Sequence, residues 1–400
     1  MASAHPLDPV RDDRKAARIR AERIKPEPGS VLVQTFDHAR AIMRSPAMKQ
    51  GGGGVEMIDT SDPAKAPIFF LDGDAHKAKR ATIARYFTPK AIRTRYVVIM
   101  EALTAELLGT LKASGRERLD LLGFDLAVAV AGDVVGLTNS DRKRMAKRLA
   151  ALLSDAWTHQ HSPIIRKYVE FRKALTAMSF FWHDVRPAIK TRRATPKEDV
   201  ISHLLAEGYS NKMILVECMT YAGAGMVTTR EFITMSAWHM FDNPDLRARF
   251  LDAGEEGQTT ILLEILRLEP IASLLYRKAD TDTPAFATGP VAGGGLHAID
   301  MHAVNTDEAA VGSCPFVLNP DRAANTKSNG AFMSFGDGAH FCPGWQVALA
   351  ETRVFLDALF RVPGIRLERA PDVGWSAMLQ SYELRNAVIV CVVGPTTNDK

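Results

Sequence analysis

The chain has 400 residues, 46% hydrophobic and 24% charged, with a net charge of +4 and four cysteines. So small a positive excess does not suggest a nucleic-acid partner. Cysteines at 218, 314, 342 and 391, none in a Cys-x-x-Cys pair, suggest neither a zinc site nor a disulfide framework and fit a reducing cytoplasm. No linker, composition break or internal repeat divides the sequence, so one unit over 1–400 is expected.

In chain order, the first 30 residues are polar and charged, with Arg11, Asp12, Asp13, Arg14 and Lys15 together, which predicts neither signal peptide nor membrane anchor. Val31 to Arg40 reads as a strand turning into a helix. The loop from Gln50 to Pro63 opens with four glycines, Gly51 to Gly54, which imply mobility. Asp72-Gly73-Asp74 is a helix start, and His76 and Arg80, four apart, share one face of that helix. Cations then concentrate at Lys77, Lys79, Arg80, Arg85, Lys90, Arg93 and Arg95. Between Ser154 and Trp182, the residues Trp157, Phe171, Met178, Phe180, Phe181 and Trp182 offer an apolar lining.

A long apolar run from Met213 to Phe241, stopped by Asp242-Asn243-Pro244, predicts a helix of roughly 40 Å. Its middle, Ala222 to Glu231, holds Gly223 and Gly225. Each glycine costs about 1 kcal/mol relative to alanine, so a bulge or a close ligand is expected there. Glu264 and Arg267, three apart on a helix that is apolar nearly all round, predict a buried ion pair in need of further partners. Ser381 to Val393, rich in Val and Ile, reads as a terminal hairpin. Helical spacing dominates between the two ends.

The most informative stretch is Phe335-Gly336-Asp337-Gly338-Ala339-His340-Phe341-Cys342-Pro343-Gly344, followed by the helical pattern from Trp345. A thiolate there is stabilised by unpaired N–H groups and the helix dipole. Glycines at 336, 338 and 344 let the backbone approach something broad and flat. An axial thiolate under a porphyrin has those needs, since Cys ligation favours O–O cleavage at haem iron.

This order resembles the cysteine-ligand loop of the cytochrome P450 family, in its soluble bacterial style. The resemblance covers nearly the whole chain. It implies a mainly α fold with small β-sheets, with a long central helix over a haem b and the Cys loop beneath. It makes Cys342 the iron ligand, packs Phe335 against the ligand side of the haem, and counts Gly336 and Gly344 among the cofactor-binding residues. His76, Arg80, Arg277 and His340 then hold the haem propionates. Arg322, in Asn319-Pro320-Asp321-Arg322, completes the Glu264–Arg267 pair, and all three have a folding role. Asp199 to Leu205 resembles the helix just ahead of the central one. After the loop the family reads Leu-Ala-Arg; here Leu349-Ala350-Glu351 is taken as a change of surface charge.

The family's oxygen-binding segment aligns with Ala224-Gly225-Met226-Val227-Thr228-Thr229. Ala224, Gly225 and Thr228 match, but Val227 stands where the family has an acid. The implied activity is insertion of one atom of O2 into a hydrophobic small molecule. Electrons would come from a separate ferredoxin and its reductase, docking near the cations between Lys77 and Arg95. Three proton sources stay open: ordered water, Glu231, or a polar group of the substrate. Val227 also leaves open a peroxide-driven or oxidative-coupling enzyme, and a non-catalytic haem or ligand-binding protein. Thr228-Thr229-Arg230 resembles some steroid- and lipid-oxidising members, which does not name a substrate.

Overall fold

The computed structural model describes residues 11–52, 66–153, 163–286, 289–291, 293–326, 330, 332–377 and 379–393. Helices dominate. The apolar run becomes one crossing formed by the α-helix Asn211–Tyr221, a π-helical segment Ala222–Val227 and the α-helix Thr228–Asp242. Ser210 starts it, its hydroxyl accepting from Met213 N–H at 3.3 Å. Asn243 ends it and caps the next helix, accepting from Leu246 N–H at 3.0 Å. The bulge expected at the two glycines is the π-helical segment, a wider turn that is common at functional sites.

The crossing packs against the helix Leu119–Val135. There a Cβ on Gly123 would sit 3.3 Å from Ile233 Cγ2, so glycine sets the close approach. The helix Trp345–Phe360, which follows the Cys loop, buries Leu349, Phe355, Leu356 and Leu359 in the same core.

The main sheet has the order Val31–Val33, Leu296–Asp300, Leu274–Ala279, Met48–Gln50. Its first pair is parallel and the others antiparallel, and Gln50 stands opposite Arg277. The strand Val31–Val33 leads into the helix Phe36–Arg44, as the sequence predicts.

Two expectations are corrected here. Ser381 to Val393 is not a hairpin: Ser381–Arg385 pairs with Asp372–Ser376, while Val388–Val390 pairs with Arg116–Arg118 and Arg366–Arg369. Leu384 N–H donates to Glu231 at 2.7 Å and Ala387 C=O accepts from Leu119 N–H at 2.9 Å, so other elements hold the backbone groups around the turn. Glu351 is no surface charge, being 2% exposed. Gly53 to Pro63 and Trp157 lie outside the described residues. Gly51 and Gly52 press against the Leu274–Ala279 strand, where a Cβ would come within 2.7 Å of Lys278 and 2.6 Å of Tyr276.

Candidate functional site

Cys342 is placed by a tight turn. Its N–H donates to Phe335 C=O at 2.9 Å and Gly336 N–H to Met333 C=O at 2.8 Å, with Gly336 at φ +75°. Burial pushes the thiol pKa up, while the N–H groups of Gly344 and Trp345 and the nearby Arg80 act in the opposite direction. Those two N–H groups begin the helix Trp345–Phe360, so the expected helix-terminus support is present. Phe335 leans on Trp345, ring centroids 6.3 Å apart. Gly338 serves a different purpose from the one its sequence suggests. A Cβ there would lie 2.3 Å from Met43 C=O, so that glycine lets the loop dock on the helix Phe36–Arg44.

The four cation-capable residues converge beside this loop. His76 and Arg80 lie on the helix Gly73–Ala84. The His76 and His340 rings stack with centroids 4.1 Å apart, and the Arg80 guanidinium bonds Phe341 C=O. His340 Nε2 lies 3.0 Å from Asp72 Oδ1, and its Nδ1 lies 3.4 Å from Gln50 Nε2. Arg277 reaches the same group through Gln50 Oε1, at 2.5 Å. Asp72 and Gln50 also belong to this group, and no spacing or motif marked them for it. Asp72 precedes its helix without capping it; its carboxylate accepts from Gln50 N–H at 2.9 Å and faces His340 instead.

The electrostatics of this cluster are lopsided. Burial, with His340 and Arg80 nearby, lowers His76 from 6.5 to about 4. Burial lowers Arg277 to about 10, with Asp72 opposing. Among the described residues the Arg277 guanidinium donates to Gln50 Oε1 and Tyr276 C=O, both neutral. Asp72 is the one carboxylate bonded into this group among the described residues.

Ala224 is exposed in the middle of the crossing, while Ala222, Met226 and Val227 are buried. Gly225 and Thr228 are half-buried, and the Thr228 hydroxyl donates to Ala224 C=O at 2.7 Å. Glu231 is fixed elsewhere. It bonds Arg230 at 3.0 Å, Arg385 at 2.6 Å and Leu384 N–H, and is 1% exposed.

Glu264 and Arg267 form the buried pair expected, at 2.7 and 2.9 Å, and Arg322 joins Glu264 at 3.1 Å. Arg267 also donates to Asn305 and Pro315 carbonyls, and Arg322 to those of Val311 and Cys314. These three side chains therefore tie a helix to the irregular chain ahead of the Cys loop. A second buried knot went unread in the sequence: Arg20 bonds Glu269 at 2.9 Å and contacts His302 at 2.7 Å.

The cytochrome P450 family model matches residues 259–362, the span holding the Glu264–Arg267–Arg322 knot and the Cys loop. Over a wider span the chain is 25% identical to cytochrome P450(MEG) of Priestia megaterium, covering 79% of this chain and 77% of that protein. The chain is thus similar to cytochrome P450 proteins over most of its length. A steroid C26-monooxygenase of Mycobacterium tuberculosis is 24% identical over 85% of this chain and 88% of its own length. The fold of the chain matches substrate-free CYP109E1 from Bacillus megaterium with TM-score 0.77, at 18% identity, covering 95% and 99% of the two chains. It also matches Mycobacterium smegmatis CYP164A2 with TM-score 0.72, at 26% identity, covering 93% and 94%.

The cofactor of the cytochrome P450 family is haem b, and the residues of this chain fit it. A buried guanidinium bonded to neutral groups, beside the His76 imidazole that burial depresses, suits the carboxylates of a porphyrin. The exposed Ala224 leaves room on one face, and a thiol with N–H support stands in the loop. Among the described residues no helix is long and apolar enough to cross a membrane.

Proposed function

We propose that this protein inserts one oxygen atom from O2 into a hydrophobic small molecule, with Cys342 as the iron ligand. The observation that carries this reading is the convergence of His76, Arg80, Arg277 and His340 on the loop that holds Cys342. Bound there, haem supplies dioxygen binding and O–O cleavage. His76, Arg80, Arg277 and His340 hold the propionates, and Gly344 and Trp345 N–H groups stabilise the thiolate. Ala224 and Gly225 would leave room for the group, and Thr228 would offer a hydroxyl able to donate and accept. Glu264, Arg267 and Arg322 hold the chain that carries the loop.

An exposed apolar stripe supports an apolar substrate. On the helix Pro163–Phe180 and just beyond it, Tyr168, Phe171, Leu175, Met178 and Trp182 repeat every three or four residues, each about half exposed or more. One similar enzyme is named a steroid C26-monooxygenase. Two structures similar in fold contain corticosterone and testosterone. A third contains an acyl carrier protein ligated to hexadec-9Z-enoic acid. Steroid or fatty-acyl skeletons are therefore the substrate classes to test.

Electrons come from a separate ferredoxin and its reductase in the cytoplasm. Of the seven cations between Lys77 and Arg95, five have partners within the chain: Lys79 pairs with Glu217, Arg80 with Phe341 C=O, Arg95 with Asp133, Lys77 with Asp74 and Arg85 with the Tyr86 hydroxyl. Lys77, Arg85, Lys90 and Arg93 stay exposed, the right charge to steer an acidic partner.

A peroxide-driven enzyme is the second reading, favoured by Val227, since protons then arrive with the oxidant. Turnover of testosterone, corticosterone and hexadec-9Z-enoic acid with O2, NADPH, ferredoxin and reductase, against peroxide alone, separates the two. Product only with peroxide overturns the first reading. Thiolate-bound haem without product under either condition leaves a ligand-binding protein.

A further inference from the structure

Oxygen insertion follows R–H + O2 + 2 e⁻ + 2 H⁺ → R–OH + H2O, so two protons must enter for every turnover. The familiar donor is missing here. Position 227 is a valine, 4% exposed and part of the core. Glu231, the next acid along, is bonded to Arg230, Arg385 and Leu384 N–H.

A third acid lies on the other side of the π-helical segment. Glu217, on Asn211–Tyr221, is 3% exposed and pairs with the Lys79 ammonium. It is nevertheless not cut off from water. Together with Tyr221 it lines a surface groove of about 270 Å³, whose rim includes Lys79, His203 and Glu207. Glu217 and Tyr221 are four apart on the crossing helix, which makes them neighbours on one face. Beyond Tyr221, Gly223, Gly225 and Thr228 are half-buried and Ala224 is exposed. Tyr221 is also within electrostatic reach of Arg80, which in turn feels Cys342.

We propose that Glu217 and Tyr221 are the proton entry of this protein, carrying protons from groove water to the cavity beside Thr228. This rests on the monooxygenase reading given above. Protonated Glu217 donates to the Tyr221 hydroxyl as that hydroxyl releases its own proton inward, and groove water reprotonates Glu217. No electrons move in this path; NADPH supplies them through the redox partner. From Tyr221 to Thr228 is seven residues, about 10 Å along the helix axis, a span bridged by water beside Ala224.

Burial pushes Glu217 up with the Lys79 ammonium opposing it, and burial together with Glu217 pushes Tyr221 up. The charged and titratable groups facing the pair are Lys79 and Arg80 from the helix Gly73–Ala84, Tyr86 after it, and His203 and Glu207 near the groove. Glu217 acts through Tyr221 and water and is a positioning and relay residue, not a catalytic one.

The test uses haem-loaded protein as native, Glu217→Gln, Glu217→Asp and Tyr221→Phe, with whichever of the three probe substrates turns over with O2. In native protein, infrared difference spectra on pH change should show a buried carboxylic C=O band that Glu217→Gln removes. Coupling, as product per NADPH, should fall at least about tenfold in Glu217→Gln, within what positioned proton donors contribute. Peroxide-driven turnover should hold, and Glu217→Asp should recover part of the coupling and shift its pH profile. Equal losses with both oxidants mean a structural residue and overturn the proposal. So does unchanged coupling, or a native spectrum without the band. A native enzyme that has the band but makes no product with O2 overturns the monooxygenase reading, and this one with it.

Discussion

Arg277 and Gln50 face each other across the main sheet, and the guanidinium meets the amide oxygen at 2.5 Å. A cation that is 5% exposed is thus held by neutral oxygens and aimed at the cluster around His340. Such an arrangement is costly alone and becomes favourable when an anion arrives. The two residues are 227 positions apart in sequence.

Arg277→Gln should therefore loosen haem more than it loosens the fold. A hydrogen bond to a charged group is worth about 1.5–3 kcal/mol, or roughly 10–150-fold in affinity. The rate of haem transfer to excess apomyoglobin should rise by a factor in that range. An unchanged rate places Arg277 outside the cofactor site.

Cys342→Ser should abolish the red-shifted Soret band of the reduced carbon monoxide complex. Cys218→Ser and Cys314→Ser should keep it, since Cys218 is buried in the core and Cys314 is exposed. Retention of the band in Cys342→Ser would remove the thiolate assignment.

Glu264→Ala strands Arg267 and Arg322, which are 0% and 5% exposed. Removing one partner of a buried pair costs about 3–5 kcal/mol. The variant should unfold at lower denaturant concentration by that amount, or collect as insoluble, haem-free protein. A fully haem-loaded variant of native stability would contradict the folding role.

Glu351 gives a pH dependence with a defined sign. Among the described residues its Oε1 has no hydrogen-bond partner, and burial raises its pKa from 4.5 to about 8. A folded pKa above the unfolded one means a contribution fully present below about 4.5 and lost as pH rises through about 8. Glu351→Gln should flatten stability across that window and exceed the native protein at pH 8. Denaturant unfolding of haem-loaded protein at pH 5 and pH 8 measures this, and parallel curves for the two proteins would refute it.

The sequence alone determined whatever depends on local spacing. His76 and Arg80 fall on one helix face because they are four apart, and Glu264 meets Arg267 because they are three apart. The glycines of the crossing produced a π-helical segment, and the ten residues around Cys342 defined a turn and a helix start. The tertiary structure alone decided which distant groups meet. It turned Asp72 from a helix cap into a partner of His340, 268 positions away, and set Gln50 against Arg277. It sent the two strands after Ser381 into different sheets, spent Gly338 on a helix carbonyl, and buried Glu351. Periodicity fixes the face on which a side chain lies, but not what packs against that face. Burial and electrostatics depend on that second fact, so the charge states of Glu217, Glu351 and Arg277 are properties of the folded chain.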